Sequence, residues 1–520
     1  MNRDDALLAL DDAPTPWDVC VIGGGATGLG AALDAVTRGY RTILVERHDF
    51  AKGTSSRSTK LIHGGVRYLR QGRIWLVLEA LRERGILTRN APHLVRTLEF
   101  IVPAQALWET PFYGIGLGLY GLLAGRGCPT HILSRAEVLR RLPGLNPTGL
   151  RHGIAYVDSQ FDDARLAITL ARTIADHGGV VLNYTPVVSL LKREGKIGGV
   201  RIRDEETGLE RDIPARVVIN ATGVFTDSIR RLDEPGAPPV IAASQGAHVV
   251  LPLSCLGGSS ALMIPRTADG RILFAIPWHD RLILGTTDNL VRDIAAEPRP
   301  MAGEIEFILS TASRFFATPP ERSQILSAYA GLRPLVQRGA VRRSATLSRE
   351  HAIFTSDSGL VTITGGKWTT YRKMAEDTID HAAQYGGLAS RPCRTASLPL
   401  HGYTETPAAY GSLALYGSDA AGIAALGRGV AIHARLPYTE AEVLWGVREE
   451  MARTVEDILA RRTRALLLDT AASIEAAPTV ARLMAAELNR DEQWIGAQVA
   501  TYTALARGYL PPWSGEKTGQ

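Results

Sequence analysis

The chain is poor in several things, and each shortage excludes something. Its 520 residues hold four cysteines, Cys20, Cys128, Cys255 and Cys393, widely separated and with no C-x-x-C pair. That spacing excludes a disulfide scaffold and a cysteine-based zinc site, and it fits a reducing compartment. Net charge is small: 58 basic against 53 acidic residues leave +5. A nucleic-acid partner is not expected from this, while a weak pull toward an anionic surface stays open. No window of ~18 residues is both charge-free and strongly apolar, so a spanning helix is not expected. The opening "MNRDDALLALDDAPTP" carries acids through its apolar run, without the basic start and long apolar centre of an export signal. There is no D-x-[DN]-x-[DN]-G calcium loop, and no metal site is expected. Lysine is scarce as well: Lys52, Lys60, Lys192, Lys196, Lys367, Lys373 and Lys517 are all of them, and the other cations are arginine.

What is present points to chemistry. A chain this long and 45% hydrophobic predicts two or three domains. The first signal is "WDVCVIGGGATGLGAALDAVTRGYRTILVERHDF", Trp17 to Phe50. A short β-rich run, Val19 to Ile22, leads into Gly23, Gly25 and Gly28 in G-x-G-x-x-G spacing, then an alanine-rich helix, then a second strand, Thr42 to Val45, ending at Glu46. This order gives each glycine its own role, in a tight turn, in close approach of backbone to a diphosphate, and in helix-to-strand packing. Glu46 is placed to accept hydrogen bonds from an adenosine ribose. A later strand, "ARVVINATGVFTD", ends in Ala221, Thr222 and Gly223. An N-terminal glycine motif completed by a distant strand is the pattern of proteins that hold FAD across a discontinuous domain. Between them, "AYVDSQFDDARLAITLARTIADHGGVVLNYTPVVSL" reads as a strand, a helix from Asp163 to His177, and a strand.

The stretch "TSSRSTKLIHGGVRYLRQG", Thr54 to Gly72, has neither helical nor strand periodicity. Together with "GTTDN" (Gly285 to Asn289), "GLRPL" (Gly331 to Leu335), "GGKWTTYRKMAE" (Gly365 to Glu376) and "TVEDILARRTRALLLD" (Thr454 to Asp469), it closely resembles the FAD-dependent, quinone-linked glycerol-3-phosphate dehydrogenases. The resemblance runs from about Asp18 to just beyond Asp469. It implies a mixed α/β chain: a Rossmann-like FAD-binding domain in three parts (17–95, 151–240 and 341–390), a cap segment (96–150), an inserted antiparallel-sheet substrate domain of the amino-acid-oxidase type (241–340), and a C-terminal helical domain (397–510).

The resemblance also implies a reaction. A hydride leaves sn-glycerol 3-phosphate for flavin N5, giving dihydroxyacetone phosphate, and electrons pass to a membrane quinone. Arg67, Tyr68, Arg333 and Lys367 are expected at the substrate, because a small dianion needs fixed cations and guanidinium forks grip phosphate in a bidentate manner. His63 is the first choice for the base; its alternative role is a histidine bonded to backbone under the flavin. Lys367 is the fallback base, and Arg333 could stabilise the developing alkoxide. The cofactor is expected against Gly23, Gly25, Ala26, Thr27 and Gly28, against Glu46 and Arg47, and against Ala221, Thr222 and Gly223. In the loop after the first unit it would meet Thr54, Ser55, Ser58, Thr59, Lys60, Leu61, His63, Gly64 and Gly65. Asp288, Gly366, Lys367, Trp368 and Thr369 complete that set. Ser56 reads as one more short donor.

Other segments carry open readings. Thr286, Thr287 and Asp288 line the site or brace it. Gln245 stands where relatives often carry a lysine or a small residue, and it could still donate. Turns are expected at Ala268-Asp269-Gly270 and His279-Asp280. "TPFYGIGLGLYGLLAGRG", Thr110 to Gly127, is either a buried segment beside a ligand or a patch that dips into one leaflet. A capping box, Thr439 to Glu442, opens a helix with apolar spacing at Val443, Val447, Met451, Val455 and Leu459. Arg461 to Arg464 reads as a solvated or interdomain face, or as a contact with lipid headgroups. The setting expected is cytoplasmic, peripheral to the inner face of a bacterial membrane, with a homodimer among the partners. The alternatives are an oxygen-using glycerol-3-phosphate oxidase, an amino-acid-oxidase-like enzyme, and a non-catalytic FAD-binding sensor.

Overall fold

Strand β1 (Trp17–Ile22) follows from an apolar run without alternation, the pattern of a strand covered on both faces, and the residues after Asp18 are buried. A computed structural model describes residues 1–11, 15–65, 73–105, 109–124, 130–267, 270–337 and 350–512. In it β1 lies between β2 (Thr42–Val45) and β10 (Glu210–Asn220), parallel to both. β7 (Val180–Leu182) extends the sheet past β2 and β18 (Leu360–Thr364) past β10, with β17 (Ala352–Thr355) antiparallel at the edge. The sheet that begins at residue 17 is thus completed by strands hundreds of residues away, as the discontinuous pattern predicts. A hairpin, β8 (Val187–Arg193) and β9 (Lys196–Arg203), joins the first half of β10. Helices Ala26–Thr37, Asp163–Asp176 and Tyr371–Tyr385 pack together against this sheet, and their apolar faces share its core.

The second sheet has ten strands and is almost wholly antiparallel. Its path joins β15 (Asn289–Val291), β11 (Ile241–Pro252), β14 (Arg281–Gly285), β13 (Leu273–Trp278), β12 (Ala261–Ile264), β4 (Val95–Ala104), β6 (His152–Phe161) and β3 (Leu61–Ile62). β16 (Ser327–Val336) pairs with β11, and β5 (His131–Ser134) with β6. β12 against β4 is the parallel exception. Strand β6, expected within the second FAD-binding segment, pairs with β4 along its whole length and belongs to this sheet instead. The His279-Asp280 turn joins β13 to β14 with positive φ at both residues, as a tight hairpin requires. The Ala268-Asp269 turn falls outside the described residues.

The C-terminal part is helical: Glu440–Glu449, Ala465–Leu468, Thr470–Leu488 and Glu492–Arg507. The capping box at Thr439 and Glu442 forms. The helix predicted through Leu459 does not continue: it stops at Glu449, and Met451 takes φ +54°. Val455 and Leu459 are buried regardless, which is why the apolar spacing outlasts the helix. These helices share a core with β11, β13, β14 and β16. Backbone bonds seal the contact, from Thr470 N–H to Leu326 O and from Ala328 N–H to Tyr509 O.

Of the readings of the arginine run, the structure favours the interdomain one. Arg461, Arg462 and Arg464 are buried, not solvated and not available to lipid. Arg461 and Arg462 converge on Asp49, just after Glu46, at 2.5 and 2.7 Å. Burial opposes ionisation of Asp49, yet the two guanidinium groups hold its carboxyl far below the usual range. Asp457 shares Arg461 and is pushed up by burial and by the charge on Asp49. Removing one partner of such a cluster strands a buried charge. Asp49→Ala is expected to cost about 3–5 kcal/mol, read as a lowered midpoint in chemical denaturation of the full chain.

A second clamp joins the Asp163–Asp176 helix to the C-terminal part. His401 lies with Nδ1 2.6 Å from Asp176 and Nε2 2.9 Å from Asp419, with Arg172 paired to the same Asp419. Burial works against its charge, but the two hydrogen-bonded carboxylates raise the imidazole from 6.5 to about 9. A raised folded-state value stabilises fully below the unfolded value and is lost as pH climbs through the folded one. His401→Gln is therefore expected to lower the melting temperature near pH 6, with the difference from the parent shrinking as pH rises past about 9.

Candidate active site

The cradle is built by glycines that leave no room for side chains. Gly23 turns out of β1 with φ +112°, and a Cβ there would meet the Ala221 carbonyl oxygen at 2.8 Å. The glycine turn and the distant Ala221-Thr222-Gly223 segment are therefore in direct contact. A Cβ on Gly28 would lie 1.9 Å from the Gly23 carbonyl oxygen. Helix Ala26–Thr37 starts after Gly25, which makes no side-chain cap, and a helix start of this kind offers first-turn amides to an anion. Ser55 Oγ takes the Ala26 N–H at 2.9 Å, and Thr27 is half-buried beside it. Glu46 ends β2 and accepts from the Gly24 and His48 amides at 2.6 and 2.8 Å; burial raises its pKa. Arg47 is exposed. An uncapped helix start with a glycine floor fits the diphosphate of a dinucleotide.

The loop from Thr54 to Gly65 lies between the two sheets. Thr54 donates to Leu332 O, Tyr329 donates to Ser58 O at 3.1 Å, and Thr59 Oγ1 lies 2.9 Å from His248 Nε2. Ser56 is buried. Lys60 requires a correction. Its ammonium is fully buried, 2.7 Å from Asp163 and 2.8 Å from Ser56 O, so it is a structural cation and not a cofactor donor. Burial lowers its pKa to about 7 despite Asp163. Ser58 likewise spends its hydroxyl on Asp163 at 2.7 Å. Leu61 is buried in β3. The His63 amide donates to Thr369 Oγ1 at 3.3 Å, the Gly64 amide donates to Tyr120 at 2.8 Å, and Gly65 turns with φ +77°.

The turn after β18 meets this loop. Gly365 and Gly366 both have positive φ, and a Cβ on Gly366 would strike the Met374 sulfur. Lys367 follows in extended conformation and opens the short turn Trp368–Thr370. Trp368 Nε1 donates to Ser55 O at 3.0 Å. The Thr369 hydroxyl thus joins the Lys367 turn to the His63 backbone. Arg67 and Tyr68 lie outside the described residues.

From the second sheet, β11 and β16 set Ser244 opposite Arg333 and His248 opposite Tyr329. Because alternate residues share a face, Gly246 leaves a gap between Ser244 and His248, and the Arg333 guanidinium fills it: a Cβ on Gly246 would be 2.4 Å from Nη2. Arg333 reaches Thr287 O at 3.2 Å, Thr286 Oγ1 at 3.2 Å and Asp288 at 3.4 Å. Asp288 also accepts from Ser244. Thr287 donates to buried Glu304 at 2.7 Å, so it braces. Gln245 gives its amide to Glu304 and Arg299 O, a correction to its reading as a donor for the site.

Sequence reasoning missed His248, which sits in an alternating strand and reads as one more β position. Its ring stacks on Tyr329 with centroids 4.7 Å apart, and its Nδ1 has no hydrogen-bond partner among the described residues. Burial, then Arg333 and Lys60, hold its pKa well below 6.5. Among the described residues there is no group of three potential metal ligands, and no helix is long and apolar enough to cross a membrane.

A glycine-floored helix start on a discontinuous parallel sheet, beside an antiparallel sheet that carries half-buried Arg333 and buried His248, defines a flavoprotein oxidoreductase. Residues 18–372 match the FAD dependent oxidoreductase family, and residues 361–495 the C-terminal domain of alpha-glycerophosphate oxidase. The chain is 41% identical to the mitochondrial glycerol-3-phosphate dehydrogenase of Homo sapiens, covering 94% of this chain and 73% of that one. It is 39% identical to the mitochondrial glycerol-3-phosphate dehydrogenase SDP6 of Arabidopsis thaliana, covering 100% and 89%. The glycerol-3-phosphate dehydrogenase of Bacillus halodurans, solved complexed with FAD, superposes with a TM-score of 0.80 at 30% identity over 99% of both chains. The chain belongs to the FAD-dependent glycerol-3-phosphate dehydrogenase family.

The cradle yields a direct test. Gly28→Ala is expected to abolish flavin retention, lowering the ratio of absorbance at about 450 nm to protein by about tenfold or more through lost backbone approach. Gly114→Ala, whose Cβ would meet nothing within 4 Å, is expected to keep it.

Proposed function

We propose that the protein oxidises sn-glycerol 3-phosphate to dihydroxyacetone phosphate and passes the electrons to a membrane quinone. Identity of about 40% across nearly the whole length of glycerol-3-phosphate dehydrogenases carries the reading. Bound FAD would supply, at N5, the acceptor for the hydride leaving substrate C2. Gly23, Gly25 and Gly28, with Glu46, Ser55 and Thr27, would hold its adenosine and diphosphate, and the His63 loop and the Lys367 turn would line its ring.

The chain's own residues do the rest. Arg333 and Lys367, with Arg67 and Tyr68, hold the phosphate dianion. His63 takes the hydroxyl proton as C2 is oxidised, because an imidazole titrates near working pH. His248 serves to orient Thr59, whose Oγ1 lies 2.9 Å from its Nε2.

The acceptor is argued from surface chemistry. Ile74 and Trp75, at the start of helix Ile74–Asn90, are 47% and 78% exposed, and Leu119 of the adjoining helix Glu109–Ala124 is 42% exposed. Exposed apolar side chains on packed helices suit insertion into one leaflet without crossing it. In a bacterium that surface would be the inner face of the cytoplasmic membrane.

The test is anaerobic. Flavin-loaded protein mixed with sn-glycerol 3-phosphate is expected to bleach, while glycerol and amino acids leave it oxidised. A short-chain quinone is then expected to restore the colour faster than oxygen does, and Trp75→Ser to reduce sedimentation with anionic vesicles. Oxygen outpacing quinone would select the oxidase reading. Bleaching by an amino acid would select the amino-acid-oxidase reading, and no bleaching by any of these the sensor reading.

A further inference from the structure

Tyr120 belongs to the apolar helix Glu109–Ala124, yet its hydroxyl is buried against the other side of the His63 loop. It accepts from the Gly64 amide at 2.8 Å and donates to Asp158 Oδ2 at 2.7 Å. Asp158, on β6, gives its other oxygen to Arg84 of helix Ile74–Asn90 at 2.8 Å, and all three residues are buried. The contact is closely fitted: a Cβ on Gly64 would lie 2.5 Å from the Tyr120 hydroxyl and 2.6 Å from Leu81. Thr369 holds the His63 amide from the opposite side at 3.3 Å. Two adjacent peptide units are thus pinned, one by the Lys367 turn and one by the apolar helix. Leu119, next in sequence to Tyr120, is on the exposed face.

We propose that Tyr120 is a positioning residue: held by Asp158 and Arg84, its hydroxyl fixes the Gly64 amide and so sets the place of His63, coupling the seating of the apolar helix to the active site. A hydrogen bond that only filled a core would tolerate any rotamer that satisfied Asp158. This one ends on the backbone next to the proposed base, where a displacement of about 1 Å is costly to a reaction that depends on alignment. The same helix pair carries exposed Ile74, Trp75 and Leu119, so a shift of that pair would be felt at Gly64 through the Tyr120 hydroxyl. The inference rests on the reading of His63 as the base.

The test is Tyr120→Phe in the flavin-loaded full chain, beside Tyr502→Phe, a buried tyrosine of the C-terminal helices whose hydroxyl meets Ser473 at 2.8 Å. In anaerobic stopped-flow reduction by sn-glycerol 3-phosphate, Tyr120→Phe is expected to slow the limiting rate about tenfold or more and to change the apparent Kd by less than about twofold. In hydrogen exchange its Gly64 amide is expected to lose protection by about tenfold or more. Tyr502→Phe is expected to change neither. A parental reduction rate in Tyr120→Phe overturns the proposal, even if stability falls, and so does unchanged exchange at Gly64. Exchange needs no substrate: if the parent protein is not reduced by sn-glycerol 3-phosphate, the substrate reading fails by itself and exchange still decides the positioning. Should Tyr120→Phe accumulate without flavin, Gly64→Ala, which displaces the same hydroxyl, takes its place with the same expected and overturning results.

Discussion

Asp163 is the point on which the arrangement turns. Fully buried at the start of helix Asp163–Asp176, it accepts from the Ser58 amide and hydroxyl, from Lys60 and from Arg464. One carboxylate therefore joins the loop that lies between the sheets, a helix of the nucleotide-binding domain and the C-terminal helices. With Asp162 alongside, two carboxylates face two cations, Lys60 and Arg464. Such a group adds little net stability over a well-packed apolar one, because desolvation offsets the attraction. What it adds is definition: other placements of the loop would leave a charge buried without its counterion.

The same device recurs wherever the C-terminal part meets the nucleotide-binding part. Asp49 meets Arg461 and Arg462, Glu450 takes the Arg165 fork, and Glu456 takes Lys52. Apolar packing does the complementary work against the second sheet, where the C-terminal helices share a core with β11 and β16. The division makes physical sense. Apolar burial sets how strongly the parts adhere, and the fixed reach of guanidinium forks sets their register. The cofactor cradle and the sheet carrying Arg333 are thereby held at one spacing.

What could be read from the sequence was local. The glycine spacing, the strands on either side of it, the distant strand ending at Asn220, the capping box at Thr439 and the turn at His279 all depend on residues close in sequence. The readings that failed depend on partners far away. Lys60 in a polar loop looks like a donor, and only Asp163, about a hundred residues on, makes it a buried ion. Arg461 reads as solvated, interdomain or lipid-facing until Asp49 is brought to it and leaves the interdomain reading. The helix beyond Glu449 looks continuous because Val455 and Leu459 stay apolar, and periodicity does not register the positive φ at Met451. His248 and Tyr120 pass as strand and helix positions, since their roles come from Thr59 and Gly64 arriving from another segment.

Lysine scarcity acquires a physical sense here. Lys60 shows what this interior does to an ammonium: even paired with a carboxylate, its pKa falls to about 7. A guanidinium in the same surroundings stays charged, since its intrinsic pKa lies above about 12. A protein whose parts are registered by buried cations gains constancy across physiological pH by making nearly all of them arginine.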